Sequence, residues 1–389
     1  MAYILTDEHR AIRELVQEIT RDEIAPRAAA VDAAAVFPSE NFALLASSEI
    51  LALAVPERYG GAGADSLAFV IAIEELAYGC ASTALSLGAQ HLGALPLLRG
   101  GSDEQKERWL PRIAKGDAIP AYCVTEPETG SDVASIRTRA ERVGGGYLLD
   151  GVKRFVTNAG TAHYYLIFAK TDPDAGSAGI SAFIVEADRP GLSVSKLEHK
   201  MGLRGSPTGD ITLEGVEVPE SARVGDEGAG FALAMWVFDR SRPTIAAQAV
   251  GLARGALDFA VAYCNERLAF GQPLLEFQGL RWMAADAMVE IQAARELLYS
   301  CAALIDDPTA RREEIGIASA MAKLKASDVA MAVTTTAVQL LGGYGYIAEY
   351  PVERMMRDAK VTQIYEGTSQ IQREILGRSL IKAAVVSAV

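Results

Sequence analysis

The period of the hydrophobic pattern changes twice along the chain, and this change constrains the fold more than any other feature of the sequence. Near the start, Thr6 is a typical helix N-cap, and Ile12, Val16 and Ile19 follow it at helical spacing. Further helical stretches are separated by breakers such as Pro56. They are expected over residues 39–53, 66–78 and 103–113. The first 115 or so residues are therefore predicted to be all α-helical.

The middle of the chain has the pattern of a β domain. Residues 147–149 and 152–156 are predicted to be two strands joined by the two-residue hairpin turn Asp150-Gly151. Short β-branched or alternating runs continue beyond them, with Gly, Pro and Asp between the runs. These further strands are expected over residues 164–169, 180–185, 192–197 and 211–218.

From about Gly230 onward, helical periodicity returns in four long stretches. They are expected over residues 242–268, 277–306, 315–341 and 368–384, and their short connections favour an antiparallel four-helix bundle. The predicted fold class is α+β multidomain. Its parts are an α-helical N-terminal domain over 1–120, a β domain over 121–230 and the C-terminal bundle over 231–389. The glycine triplet Gly144 to Gly146 precedes a strand, which does not support a Rossmann domain.

Composition restricts the classes of function. Half of the 389 residues are hydrophobic and 22% are charged, as in a globular protein with a well-buried interior. The net charge of −13 does not favour nucleic-acid binding. The apolar runs fall short of the roughly 20 residues that a bilayer-spanning helix needs. The first residues carry no basic, then apolar, signal, so a cytoplasmic location is expected. Four widely spaced cysteines predict neither a disulfide framework nor a metal site.

Two segments beside the predicted strands have the composition of a ligand site. The segment from Tyr122 to Asp132 offers hydroxyls and free backbone amides that could hold a heteroaromatic ring or a phosphate. A solvated loop between domains explains it equally well. In the segment from Phe155 to Gly160, Phe155 and Thr157 would share one strand face, where they could stack on a flat cofactor and donate to it. A strand end with a core phenylalanine is the simpler explanation of that segment.

Two more segments lie at predicted helix ends. Arg267 could clamp a pyrophosphate, or it could simply balance the dipole at a helix C-terminus. Glu366 precedes the last helix, which Thr368 or Ser369 would cap, on backbone that Gly367 makes permissive. Partial desolvation would raise the pKa of this carboxyl toward that of a general base. A glutamate that only favours a helix N-terminus is the alternative.

Taken together, these segments resemble the acyl-CoA dehydrogenase family, and the resemblance runs from the first helix to about Arg378. The segment beginning at Tyr122 has the form Y-x-V-T-E-P-x-x-G-S-D. The other specific motifs are Met201 to Ser206, Asp239 to Pro243, Gln339 to Gly345 and Tyr365 to Ser369. The resemblance implies a β-barrel-like middle domain, a homotetramer built as a dimer of dimers, and FAD as the cofactor.

The resemblance also implies a role for individual residues. Thr157 would face the flavin nitrogen that receives hydride, and Phe155 stands where the family often has Trp. The residues implied to line the flavin within one subunit are Tyr122, Val124, Thr125, Ser131, Phe155, Val156 and Thr157. Thr368 and Gln370 would touch the FAD near its phosphates. The residues implied to reach the FAD of a neighbouring subunit are Arg267, Phe270, Gln278, Gln339, Leu340, Gly342 and Gly343.

For the reaction, the resemblance places Ser131, Asp239, Arg242 and Gly367 along the acyl-CoA. Glu366 would remove the α-proton while the flavin takes hydride from the β-carbon, giving a trans-2-enoyl-CoA, and electrons would pass to electron-transfer flavoprotein. Some members carry the glutamate at the position of Ser241, which cannot act as the base. An oxidase, a nitroalkane oxidase and a non-catalytic scaffold are the alternatives, and the substrate could also be an acyl carrier protein thioester.

Overall fold

The first third of the chain is helical. The structure, a computed structural model, describes residues 3–387, with side chains up to residue 382. Thr6 caps the first helix as predicted, because its Oγ1 accepts a hydrogen bond from His9 N at 3.3 Å. The helices are α1 Asp7–Ile19, α2 Ala25–Ala34, α3 Ser39–Ser47, α4 Ser66–Gly79, α5 Ala81–Gly100 and α6 Asp103–Ala114.

Helix boundaries differ from the prediction where the backbone or the pattern is unusual. The helix expected over 39–53 ends at Ser47, because Glu49 adopts a left-handed φ of 59° that interrupts the helix before a short 3₁₀ turn. The apolar pattern does not set the bounds of α2 or α5. Helix α2 is rich in alanine, and α5 mixes alanine and glycine with leucine, so both carry little of the apolar periodicity that identifies a helix.

The middle of the chain forms an eight-stranded sheet. Its strands are β1 Pro120–Cys123, β2 Arg139–Val143, β3 Gly146–Thr157, β4 Tyr164–Lys170, β5 Ile180–Glu186, β6 Leu192–Leu197, β7 Thr208–Pro219 and β8 Arg223–Val224. The order is β6-β7-β3-β2-β4-β5-β8, with β1 pairing in parallel to β4. Strand β4 is apolar from Tyr164 to Ala169 because both of its faces are covered. Tyr164 and Phe168 pack toward the helices, and Tyr165 and Ile167 pack into the opposite core.

The hairpin predicted at Asp150-Gly151 is wrong. Residues 146–157 form the single strand β3, and the hairpin turn lies earlier, at Gly144-Gly145, where it connects β2 to β3. Gly151 instead occupies an irregularity in the pairing of β3 with β7. A Cβ at Gly151 would lie 2.7 Å from Thr138 Oγ1, so the glycine allows a close approach of backbone rather than a chain reversal.

The C-terminal region is helical, as predicted. It comprises α7 Gly230–Glu266, the short hairpin β9 Leu268–Ala269 with β10 Gln272–Pro273, α8 Gln278–Asp306, α9 Arg312–Leu341, α10 Val352–Thr362 and α11 Ser369–Ser387. Helix α7 begins twelve residues before the predicted start at Arg242 and contains Pro243 in its interior. Helix α10 was not predicted.

Helix α7 is the central element of the protein. It packs on α4 and α5 on one side and on α8 and α9 on the other. By length and composition alone it is the one helix in residues 3–387 that could cross a bilayer, yet 72% of its most apolar window is buried inside the protein. The fold brings the end of β1, the middle of α7, the middle of α9 and the start of α11 toward one another.

Candidate active site

Glu366 lies on a short loop between α10 and α11 whose backbone is held in an unusual conformation. Glu366 has a φ of 52° and Gly367 a φ of 89°, so two consecutive residues are left-handed. Thr368 Oγ1 then accepts from Ile371 N at 3.2 Å and caps α11. The capping residue and the permissive glycine predicted from the sequence are therefore confirmed, and they place Glu366 outside the helix.

The Glu366 carboxylate contacts the middle of α7. Ser241 Oγ donates to Glu366 Oε2 at 2.6 Å. The neighbouring Arg242 is buried, and its Nη1 binds Asp239 Oδ1 at 3.1 Å. Within the described residues the Arg242 Nε has no hydrogen-bond partner. The sequence motif beginning at Asp239 and the Glu366 loop therefore lie in contact with each other.

Burial and nearby donors act on the Glu366 carboxyl in opposite directions. Burial raises its pKa above the usual value for glutamate. The Ser241 hydroxyl and the charges of Arg242 and Lys323 oppose this effect, but burial remains the larger influence. A carboxylate with a raised pKa and a fixed orientation is suited to accept a proton.

Two buried side chains that the sequence analysis did not identify hold the next residue of the loop. Lys323 Nζ donates to the Gly367 carbonyl at 2.6 Å, and Gln372 Nε2 donates to the same oxygen at 2.9 Å. Lys323 has a signal in the sequence, since it stands on an apolar helix face with Ala320, Ala326 and Ala330 at helical spacing. A lysine at such a position has either a partner or a function.

The end of β1 faces the same site. Tyr122 packs edge to face on Phe168 and Phe238, with ring centroids 5.1 and 5.9 Å apart. Its hydroxyl is buried and has no hydrogen-bond partner among the described residues. Burial, followed by the charge of Glu366, raises the pKa of Tyr122. This is the polar atom that a ligand between β1 and Glu366 would meet.

A buried ion pair supports the loop that follows Tyr122. Lys153 Nζ donates to Glu126 Oε1 at 2.7 Å and to the Val124 carbonyl at 3.2 Å. Glu126 also accepts from Thr138 N at 2.9 Å, and the Arg154 amide donates to the Thr125 carbonyl at 2.8 Å. Val124 is buried and Thr125 is partly buried, whereas Ser131, later in the loop, is exposed. This supporting role of Lys153 and Glu126 was not predicted.

The strand end at Phe155 to Thr157 is more irregular than predicted. Phe155 has a φ of 56°, and the pairing with β7 shifts between Lys153 and Val156, so two residues oppose one. From Phe155 onward the burial alternates, because Phe155 is exposed, Val156 is buried and Thr157 is partly exposed, which agrees with the predicted shared face of Phe155 and Thr157. Phe155 is not a core residue, because 57% of its surface is exposed.

The residues implied to reach a neighbouring subunit form a second group. Arg267, Gln339, Leu340, Gly342 and Gly343 line one groove of about 480 Å³ together with Tyr263 and Tyr344. The Arg267 guanidinium lies 5.2 Å from the Tyr344 ring centroid. Phe270, at the β9–β10 turn, is 96% exposed, and Gln278 is the first residue of α8.

Hydrogen bonds and ion pairs within the described residues do not link this groove to the Glu366 loop. Thr368 and Gln370 lie at the start of α11, beside Glu366 rather than in the groove. The predicted site residues therefore fall into two groups within one chain.

Family comparisons agree with this geometry. The models for the acyl-CoA dehydrogenase N-terminal, middle and C-terminal domains match residues 6–117, 121–216 and 228–381. The chain is 46% identical over 379 residues to the probable acyl-CoA dehydrogenase FadE25 of Mycobacterium tuberculosis, covering 97% of this chain and 96% of the relative.

Solved structures agree over the same length. Butyryl-CoA dehydrogenase from Megasphaera elsdenii is 39% identical with a TM-score of 0.94, covering 98% of this chain and 100% of the other. A chain in a structure described for the electron transferring flavoprotein of Acidaminococcus fermentans is 41% identical with a TM-score of 0.94, covering 98% and 99%. The chain belongs to the acyl-CoA dehydrogenase family of flavoprotein oxidoreductases.

Proposed function

We propose that Glu366 is the base of an FAD-dependent acyl-CoA dehydrogenase, and that it removes the α-proton of an acyl thioester to give the trans-2-enoyl product. The observation that carries the proposal is the Glu366 carboxylate itself. It is held by the Ser241 hydroxyl at 2.6 Å, and burial raises its pKa. Fixed orientation and raised basicity are the two properties that proton abstraction beside a carbonyl requires.

The backbone of the same loop supports a second role. The Tyr365 amide is bonded, whereas within the described residues the amides of Gly367 and Thr368, and that of Glu366 itself, donate to no protein acceptor. The free Glu366 N–H is available to the thioester carbonyl. A fixed donor there would stabilise the negative charge that develops on oxygen as the α-proton leaves. An acyl chain that excludes water from the site would strengthen both the donor and the base.

The two groups of residues suit the parts of FAD. The free Tyr122 hydroxyl and the braced Val124–Thr125 backbone suit a flavin ring beside Glu366, with Phe155, Val156 and Thr157 at the neighbouring strand end. In the groove, a cation and two tyrosines suit a pyrophosphate and an adenosine, and no atom lies within 4 Å of a Cβ placed at Gly342 or Gly343. Bound FAD supplies the acceptor for the hydride that leaves the β-carbon.

The separation of these groups supports an active site shared between subunits. Because no hydrogen bond or ion pair among residues 3–387 links the Arg267 groove to the Glu366 loop, we propose that the groove serves a neighbouring copy. Helix α8 exposes Trp282, Met288 and Val289, a set of large apolar side chains that assembly would bury. We propose a homotetramer built as a dimer of dimers.

The reaction is tested by anaerobic titration of the yellow protein with butyryl-, octanoyl- and isobutyryl-CoA while the flavin absorbance is followed. We expect bleaching by at least one thioester, and its loss in Glu366→Gln with FAD retained. Glu374→Gln is the matched control, since Glu374 is an exposed glutamate on α11 that pairs with Arg378.

The outcomes of this titration separate the alternatives. Bleaching of Glu366→Gln at the wild-type rate would remove Glu366 as the base. A protein reduced only by acyl groups on a carrier protein would change the substrate class, and a protein that cannot be loaded with FAD would overturn the proposal.

We propose electron-transfer flavoprotein as the electron acceptor, supported by the family resemblance and by the similar chain in the Acidaminococcus structure. Phe155 exposes an aromatic ring beside the proposed flavin site, with the Arg154 guanidinium 4.7 Å from its centroid. Stopped-flow reoxidation of the reduced enzyme should be faster with electron-transfer flavoprotein than with oxygen. Faster reoxidation by oxygen would favour the oxidase alternative.

The tetramer is tested by light scattering during gel filtration. The wild type should have the mass of four chains, and Met288→Glu should give smaller species because it places a charge on the apolar face of α8. Val36→Glu, at an exposed apolar residue after α2, is the control and should stay tetrameric. A wild-type monomer that binds FAD fully would contradict the shared site.

A further inference from the structure

Lys323 is a buried cation in the middle of α9. Its side chain is 0% exposed, and it forms no ion pair with a carboxylate in the described part of the chain. An ammonium ion without water or a carboxylate partner is costly to bury, so such a lysine needs another compensation. Its one hydrogen bond there is the donation to the Gly367 carbonyl at 2.6 Å.

The Gly367 carbonyl is a point where the position of the Glu366 loop is set. Lys323 from α9 and Gln372 from α11 both donate to it, so two helices fix one oxygen. Glu366 has left-handed backbone, which is strained at a residue with a side chain and persists only where the surroundings hold it. Space is limited as well, because a Cβ at Gly367 would lie 2.6 Å from Gln372 Nε2.

Charged and polar groups from three elements face the Glu366 carboxylate. Ser241 and Arg242 come from α7, Lys323 comes from α9, and the Tyr122 hydroxyl comes from β1. Lys323 in turn responds to Glu366 and, beyond it, to Arg242 on α7 and Asp328 on its own helix. Burial lowers the pKa of Lys323 to about 8, while the charge of Glu366 opposes that shift. Lys323 therefore still carries its proton at neutral pH.

We infer that Lys323 is a positioning residue for the base: its ammonium anchors the Gly367 carbonyl to α9 and supplies positive charge that favours the ionised Glu366. The inference rests on the proposed role of Glu366. The hydrogen bond restrains the loop, and the charge offsets part of the effect of burial on the carboxylate. A lysine that only filled space in α9 would do neither.

The hydrogen bond and the charge are separated by two variants. Lys323→Met removes both, whereas Lys323→Gln keeps a donor but removes the charge. Lys115→Met is the control, since Lys115 is an exposed lysine at the end of α6. The first readout is the infrared band of the protonated Glu366 carboxyl as a function of pH, assigned by its absence in Glu366→Gln. The second is the pH profile of kcat for flavin reduction.

In both Lys323 variants the midpoint of the Glu366 titration should move up by about one pH unit, the order of effect of one nearby opposite charge. On the acidic limb of the profile, where kcat follows the ionised fraction of Glu366, kcat should then fall about tenfold, with KM little changed. At high pH, where Glu366 is ionised in every variant, Lys323→Gln should approach the wild type while Lys323→Met stays slower. Lys115→Met should match the wild type throughout.

A purely structural role would lower the unfolding temperature without moving the titration midpoint, and that result would overturn the inference. If Lys323→Met does not fold, Lys323→Gln alone decides, because an unshifted midpoint in that variant removes the effect of charge. Failure of the proposed function is distinguishable. A wild-type enzyme that no thioester reduces would end that proposal, while the infrared titration would still report on Lys323.

Discussion

Ser241→Ala removes the one hydrogen bond that the Glu366 carboxylate accepts in the described residues. Burial already raises the pKa of Glu366, and the Ser241 hydroxyl opposes that effect, so its loss should raise the pKa further. A hydrogen bond to a charged group contributes about 1.5–3 kcal/mol. At about 1.4 kcal/mol per pH unit, this free energy corresponds to a rise of about 1–2 pH units in the pKa of Glu366. Glu366 is only partly buried, so water can replace the lost hydroxyl. The expected rise in the pKa of Glu366 is therefore at the lower end of this range.

The assay is the rate of flavin reduction by saturating acyl-CoA between pH 5 and 9. Because the base acts as its carboxylate, activity is present above its pKa and lost below it. The acidic limb of the profile should therefore move to higher pH in Ser241→Ala, with the rate at high pH nearly unchanged. Ser327→Ala is the control, since Ser327 is a buried serine whose hydroxyl donates to Leu324 O of its own helix. An acidic limb at the wild-type position would refute the role of Ser241.

Three further perturbations test the supports of the site. Lys153→Met leaves the Glu126 carboxylate buried without its cation. The free energy of unfolding in urea should therefore fall by about 3–5 kcal/mol, and FAD should be lost. A stable variant that keeps its yellow flavin would contradict this. Gly367→Ala forces a Cβ to within 2.6 Å of Gln372 Nε2 at a φ of 89°, so kcat should fall at least about tenfold with the fold retained, as circular dichroism would check. Arg267→Ala should weaken FAD binding by about tenfold or more in equilibrium titration. The rate at saturating FAD should be nearly unchanged. An unaltered affinity for FAD would show that the groove is not part of the cofactor site.

The Glu366 loop was predictable from the sequence because its conformation is decided locally. A glycine that permits left-handed backbone and a threonine that caps a helix act within two or three residues of Glu366, and both appear in the structure as expected. The change from helical to strand periodicity was equally local. It predicted the three-part fold, although the helix at 81–100 is rich in small residues and has too little apolar contrast for the pattern to set its bounds.

The partners of Glu366 were not predictable in the same way. Ser241 meets Glu366 across 125 residues of chain, and Lys323 meets Gly367 across 44, so only the packing of α7 and α9 brings them together. Gly151 shows the converse limit. Asp150-Gly151 has the composition of a hairpin turn, but the neighbouring Thr138 and the pairing with β7 make that glycine part of a strand.

The arrangement around Glu366 follows from two demands that act against each other. A base needs a raised pKa, which burial provides, but at neutral pH it must also be ionised before substrate arrives. Burial alone would raise the pKa of Glu366 further than is observed. The Ser241 hydroxyl and the charges of Arg242 and Lys323 reduce that rise, and neither cation forms a direct ion pair with the carboxylate. A direct pair with Arg242 would lower the pKa further and would occupy the oxygen that must take the proton. Arg242 binds Asp239 instead, and Lys323 binds a carbonyl, so both cations act on Glu366 through space. Any variant that converts one of these contacts into a direct ion pair should therefore slow proton removal even though it places more positive charge beside the base.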